Sequence, residues 1–327
     1  MLITMFFIEL FIGSVSISFK EIFNIVFLGI SENEANTTII ADFRLPKIIT
    51  AIVVGIALAV SGLQMQAIFR NPLAGPYVLG ISSGAGLGVA ILLLSSGWLF
   101  NETNFSFLGN WAMVLAAWLG SGIVLFLVLL VSIRVKDVLT VLILGIMFGA
   151  AISSLVNILQ FFSDQQSLKS YVVWTMGSLG GVTKSQLAVL LPSVIIGLFL
   201  SILSAKMLNA LLLGENYAKS MGVNVLKARI LVFAGASILA GTVTAFCGPI
   251  GFVGIVVPHI ARIIFRTSNV FTLIWGSSLI GALFMLMSDL LSRIPGSDTV
   301  LPINSVTAII GVPVIIYLVI KKFKFES

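Results

Sequence analysis

Few side chains in this sequence are equipped for chemistry, and most of those lie in apolar surroundings. His259 is the only histidine and Cys247 the only cysteine among 327 residues. A histidine at membrane depth suits a proton relay, because ionisable groups there usually serve function. Its place near the inner end of a short helix points instead to a structural hydrogen bond. A lone cysteine excludes an intrachain disulfide and any cysteine-based metal site, so Cys247 reads as a small buried apolar residue. Glu9 and Asp289 are the acids near membrane depth, each close enough to the end of an apolar segment for a partner or water to satisfy it. Ser153, Asn157 and Gln160 follow one another at spacings of four and three, one polar face of a helix. That face either lines a path or stitches helices together. No set of nucleophile, base and metal ligands emerges, and the sequence contains no G-x-x-x-x-G-K-[ST] phosphate loop.

The elements that carry these residues are set by composition. The chain is 59% hydrophobic and 9% charged, with a mean hydropathy of +1.17, whereas a soluble domain carries about 25% charged residues. The bilayer must be the solvent for much of the fold. A membrane β-barrel would show short alternating segments, but runs such as 48–59 and 123–133 are long and unbroken. The expected class is an all-α polytopic membrane protein, one domain over residues 1–327. A spanning helix needs about 20 apolar residues, and ten segments fit: 1–18, 47–67, 78–98, 111–133, 138–162, 186–205, 229–247, 250–265, 270–291 and 301–320. The eighth is short and holds Pro258. Met1 enters an apolar run directly, so the first segment reads as a span and not as a cleaved signal.

Ten crossings place both termini on one side. With that side cytoplasmic, 12 basic residues lie inside and 6 outside, which matches the positive-inside bias. The net charge of +6 is therefore a matter of topology, with no nucleic-acid partner implied. Segment 16–29 mixes Lys20, Glu21 and Asn24 with Phe19, Ile22 and Phe23, and reads as an amphipathic helix at the outer interface. Arg44, Lys47 and Arg293 lie outside, against the trend; they either snorkel to headgroups or meet a partner. On the inner side, loop 207–229 holds Glu215 and Lys219, four apart and well placed to pair on a helix. Gly222 is a helix terminator, and Asn224 caps a second short helix.

Two stretches echo each other weakly. Leu58-Ala59 leading to Gly75-Pro76 is matched by Leu239-Ala240 leading to Gly248-Pro249. In the span order the two run in opposite directions, as an inverted repeat of spans 2–5 and 7–10 requires; chance likeness between Gly/Ala-rich helices is the rival reading. The Gly-Pro pairs interrupt helices at membrane depth, which is tolerated only beside protein or a water-filled cavity.

Arg44-Leu45-Pro46-Lys47, Leu58-Ala59-Val60-Ser61-Gly62, Gln66 and Arg70-Asn71-Pro72-Leu73-Ala74-Gly75-Pro76, in that order, resemble the opening signature of the FecCD/BtuC permease family. The run from Gly248-Pro249-Ile250-Gly251-Phe252 through Pro258-His259-Ile260-Ala261-Arg262 resembles its second signature. Gly214-Glu215, Ser220-Met221-Gly222-Val223 and the closing Gly311-Val312-Pro313 fit as well, so the likeness covers roughly residues 40 to 320. The family often carries Arg at the place of Lys47.

The resemblance implies a BtuC-like subunit of ten helices in the bacterial cytoplasmic membrane. Its implied partners are a second permease copy, two cytoplasmic ATPases and an external binding protein, with lipid around it. The subunit itself is no enzyme and needs no cofactor, ATP and Mg belonging to the ATPases. By the same likeness Gly214, Glu215, Lys219, Ser220, Gly222 and Val223 form the coupling segment. Arg44, Lys47 and Arg293 face the binding protein, and Val138, Leu139 and Thr140 lie at a cytoplasmic gate, with Ser153, Asn157 and Gln160 on the pathway. Its cargo is a bulky metal chelate, iron–siderophore first, with haem and cobalamin as alternatives. The rival class is a carrier driven by an ion gradient, which needs a charged coordinating site at the midplane.

Overall fold

A computed structural model describes residues 1–13, 15, 17–29, 33–94, 110–135, 137–293 and 300–326. Among them the regular structure is helical: α1 (Leu2–Phe11), α2 (Phe19–Phe23), α3 (Glu34–Thr38), α4 (Leu45–Ile68), α5 (Ile81–Leu94), α6 (Asn110–Arg134), α7 (Val138–Phe162), α8 (Gln165–Thr175), α9 (Lys184–Leu212), α10 (Glu215–Ser220), α11 (Val225–Cys247), α12 (Val253–Phe265), α13 (Val270–Ser292) and α14 (Ile303–Glu326). Polar side chains start the long helices. Asp137, Asn224 and Asn269 accept backbone N–H groups at the heads of α7, α11 and α13, and Thr183 closes a capping box with Gln186 at the head of α9. These caps satisfy donors that a helix start leaves open.

Six helical stretches are long and apolar enough to cross a bilayer: Glu34–Ile68, Trp111–Arg134, Val138–Phe162, Lys184–Leu212, Val225–Cys247 and Val270–Ser292. The other four expected segments appear as shorter apolar helices. The first departs most from expectation. Instead of residues 1–18, α1 covers 10 residues, about 15 Å of rise, because the chain turns extended at Ile12. The second is longer than expected: α3, a π-turn over Ile39–Arg44 and α4 run on without a break. Within the expected interfacial segment, Phe19–Phe23 form α2 and Asn24–Leu28 a π-turn, capped by Ser18 and ended by Gly29 at φ 67°.

α4 and α11 are the buried centre, since their faces are nearly all small or aliphatic. Glycines let backbones touch: a Cβ on Gly62 would collide with the Gly254 carbonyl of α12, and one on Gly55 with the Gly281 carbonyl of α13. Close approach of this kind is what holds helices together in lipid, where no hydrophobic drive between them exists. α4 packs on α11, α12 and α13, while α11 packs on α4, α5 and α6. α5 packs on α6 and α7, as α12 does on α13 and α14. Exchanging α4–α7 for α11–α14 therefore carries neighbours into neighbours. Both Gly-Pro pairs interrupt helices as expected: Gly75-Pro76 opens a 3-10 turn over Pro76–Leu79, and Gly248, at φ 73°, ends α11.

Candidate functional site

At one end of the bundle, charged side chains converge from α1, α4 and α13. Lys47 Nζ lies 2.9 Å from Asp289 Oδ1, and Arg293 Nη2 lies 2.8 Å from Asp289 Oδ2. Arg293 also pairs with Glu9 and donates to the carbonyl of Ile12. The π-turn before α4 swings Arg44 inward, where it donates to Leu10 O at 2.6 Å and to Val15 O. Gly13 has no side chain because the Arg44 guanidinium lies against it. Two arginines thus occupy carbonyls at and just beyond the end of α1, where a helix terminus leaves acceptors open.

Glu9 is fully buried and Asp289 nearly so. Buried carboxylates persist only when paired and hydrogen-bonded, so they draw in Lys47 and Arg293. The sequence reading treats Arg44, Lys47 and Arg293 as cations offered outward; the structure turns all three into the fold. Arg44 is 9% exposed, and the Lys47 and Arg293 side chains are 20% and 19% exposed. Within this cluster three cations face two carboxylates. The sequence signal for the network was the need of Glu9 and Asp289 for partners; which partners, it did not say.

The opposite end carries α10. Gly214, at φ 126°, starts it; Gly222, at φ 81°, ends it in a Schellman turn, with Val223 N–H on Ala218 O at 3.0 Å and Gly222 N–H on Lys219 O at 3.0 Å. Ser220 Oγ donates to Tyr217 O, and Lys219 is exposed. Two expectations change here. The second short helix is the first turn of α11, since no breaker follows the Asn224 cap. Glu215 pairs with Arg229, its Oε1 2.6 Å from Nη2, and not with Lys219, because the buried guanidinium needs a counterion and the exposed ammonium does not. The turn exposes Leu213, Tyr217, Met221 and Leu226, an apolar patch flanked by Lys219 and Lys227.

Val138, Leu139 and Thr140 form the first turn of α7 at this same end. Asp137 accepts the Leu139 and Thr140 N–H groups and the Thr140 hydroxyl at 2.6 Å. The Thr140 hydroxyl and then its N–H hold the Asp137 carboxyl below the usual carboxylate range. Leu139 is 52% exposed. Farther along α7, Ser153 and Asn157 are exposed and Gln160 is half-buried. Ser153 Oγ donates to Gly149 O of its own helix. A cavity of about 800 Å³ lies elsewhere, among Met113, Lys169, Trp174, Phe246 and Cys247, and none of the predicted pathway residues line it.

His259 makes the structural bond expected of it, Nε2 lying 2.9 Å from Pro72 O. Arg262 donates to Gln66 Oε1 at 2.5 Å, and Gln66 Nε2 to Ile255 O at 3.1 Å. The two signature stretches of the sequence are therefore in contact. Cys247 is buried.

Residues 1–321 match the model of the FecCD transport family. The haemin transport system permease protein HmuU of Yersinia pestis is 36% identical over 96% of this chain and 91% of its own length. The vitamin B12 import system permease protein BtuC of Escherichia coli is 36% identical over 86% of this chain and 83% of its own. A solved structure of a metal-chelate type ABC transporter, in an inward-facing conformation, superposes with a TM-score of 0.85 at 31% identity, covering 98% of this chain and 96% of that one.

Proposed function

This chain belongs to the FecCD transport family, and on that premise we propose that it is the permease subunit of an ATP-driven importer for a bulky metal chelate. It is a membrane-embedded transport component. In the proposed assembly two copies pair around a central path, two cytoplasmic ATPases hold the ATP and Mg, and an external binding protein delivers the cargo. Each chain crosses a bacterial cytoplasmic membrane ten times, with both termini inside.

The apolar patch on the α10 turn carries this reading. Leu213, Tyr217, Met221 and Leu226 protrude beyond the ends of two spanning helices, where a soluble partner and not lipid is the natural cover. Gly214, Glu215, Lys219, Ser220, Gly222 and Val223 are the coupling segment seated on the ATPase. The exposed face of α7 supports the second copy. Ser153, Asn157 and Gln160 with Leu139 would line a path between chains, one that a single chain does not enclose. The binding protein docks near Arg44, Lys47 and Arg293, where three cations face two carboxylates in each copy. Exposed pairs are worth about 0.2–1 kcal/mol each, so charge steers encounter there more than it holds the complex.

The relatives HmuU and BtuC carry haemin and vitamin B12, and these stand beside iron–siderophore as candidate cargoes. The test is uptake into liposomes holding the permease with its ATPase, in the presence of its binding protein. Haem, cobalamin and an iron–hydroxamate siderophore are offered in turn. One of them is expected to accumulate only with ATP and binding protein. Accumulation driven by an ion gradient without the ATPase would instead make the chain a secondary carrier.

A further inference from the structure

The two segments assigned above to coupling and to gating are separated in the chain by the rest of α7, by α8 and by α9, yet one side chain touches the first of them and the backbone just ahead of the second. Arg229, in the first turns of α11, is 3% exposed. Its Nη2 lies 2.6 Å from Glu215 Oε1, at the first residue of α10. Its Nη1 donates at 3.2 Å to the carbonyl of Val135, in the turn between α6 and α7. Val135 is two residues from Asp137, the cap whose carboxylate holds Leu139 and Thr140. The buried guanidinium thus holds the carboxylate of α10 on one arm and, on the other, a backbone carbonyl just ahead of the head of α7.

We propose that Arg229 is a positioning residue that transmits movement of α10 to the first turn of α7, so that displacement of the coupling helix by the ATPase displaces Leu139 and Thr140. The inference rests on the coupling reading of α10. Its physical basis is the fork of the guanidinium. Arg presents planar donors in fixed mutual geometry, so a shift of one arm rotates the other; Lys carries the same charge as a point and holds no such register. The ionic arm is the stronger, since hydrogen bonds between ionised partners are roughly twice as strong as neutral ones. Glu215 is free to act as the moving end because its side chain is 30% exposed, while Arg229 is held by the core. The flanking glycines suit this. Gly214 at φ 126° and Gly222 at φ 81° have nothing within reach of a Cβ, so their backbone conformation, and not crowding, is what requires glycine. Each is a place where α10 can pivot.

The experiment uses the complete transporter with its ATPase, reconstituted in nanodiscs, in a Cys247→Ser background. Leu139→Cys reports on the head of α7 through its rate of reaction with a maleimide dye, with and without ATP. Tyr217→Cys, on the exposed face of α10, reports ATPase seating by cross-linking to the partner. In the parent protein ATP changes the Leu139→Cys rate and Tyr217→Cys cross-links. Arg229→Lys and Arg229→Gln are expected to keep the cross-link while the ATP-dependent change at Leu139→Cys falls about tenfold, the factor that goes with losing one contact of a buried charge. Arg229→Gln covers the case in which Arg229→Lys fails to fold, because it leaves no buried charge and the partly exposed Glu215 can be hydrated instead. A full ATP response in either variant, with the cross-link intact, overturns the inference and leaves the coupling reading standing. No cross-link and no ATP response in the parent protein overturns both.

Discussion

Asp289 is the residue on which the Arg293 end of the molecule depends. Its two oxygens each take a different cation, Lys47 at 2.9 Å and Arg293 at 2.8 Å. Asp289→Asn would leave both nearly buried cations short of an anion and Glu9 as the sole carboxylate among them. Removing one partner of a fully buried pair costs about 3–5 kcal/mol. Lys47 and Arg293 are each about one-fifth exposed, so water recovers part of that and a loss of about 1–3 kcal/mol is expected. It would appear as a lowered unfolding midpoint of the detergent-solubilised protein. Pairing Lys47→Met with Asp289→Met should recover part of the loss, since an apolar pair avoids the desolvation that the ions suffer. An Asp289→Asn protein that melts with the parent would show that the network contributes nothing net.

Glycine contacts decide the packing of the central helices. Gly62 faces the Gly254 carbonyl and Gly55 the Gly281 carbonyl. Backbone cannot swing aside as a flexible side chain does, so a methyl group at Gly62 must push α4 and α12 apart. Overpacking of this sort costs about 1–3 kcal/mol. Gly122, on α6, is the control, because a Cβ there meets nothing within 4 Å and alanine is a better helix former than glycine by about 1 kcal/mol. Gly62→Ala is therefore expected to aggregate at a lower temperature than the parent, and Gly122→Ala at the same or a higher one. Equal behaviour of the two variants would mean that the helices can part at little cost.

The whole molecule has two unlike ends. One is the network of Glu9, Arg44, Lys47, Asp289 and Arg293; the other is the α10 turn with its apolar patch. The excess of 12 basic residues over 6 predicts that the α10 end faces the cytoplasm. Single cysteines at Asn33 and Asn216, both exposed, test this in a Cys247→Ser background. Asn33→Cys is expected to react with an impermeant thiol reagent added to intact cells, and Asn216→Cys only after the cells are opened. Reaction of Asn216→Cys from outside would reverse the orientation and remove α10 from any cytoplasmic ATPase.

Much of this was legible in the sequence because hydropathy, helix breaks and caps are local properties. The long apolar runs, the Gly-Pro interruptions at Gly75 and Gly248, the helix end at Gly222 and the cap at Asn224 all follow from residue types within a turn or two of one another. The membrane class follows from composition alone, and the family from two ordered motifs. What only the tertiary structure decided is which distant groups meet. Nothing in the spacing of Glu9, Lys47 and Asp289 says that they share one site, and the helical period favours Glu215 with Lys219 over Arg229 fourteen residues away. Arg44, Lys47 and Arg293 look like free surface cations in sequence because their counterions lie on other helices. A buried charge takes the partner that desolvation forces upon it, and that choice is made by packing, across hundreds of residues, after the helices are already in place.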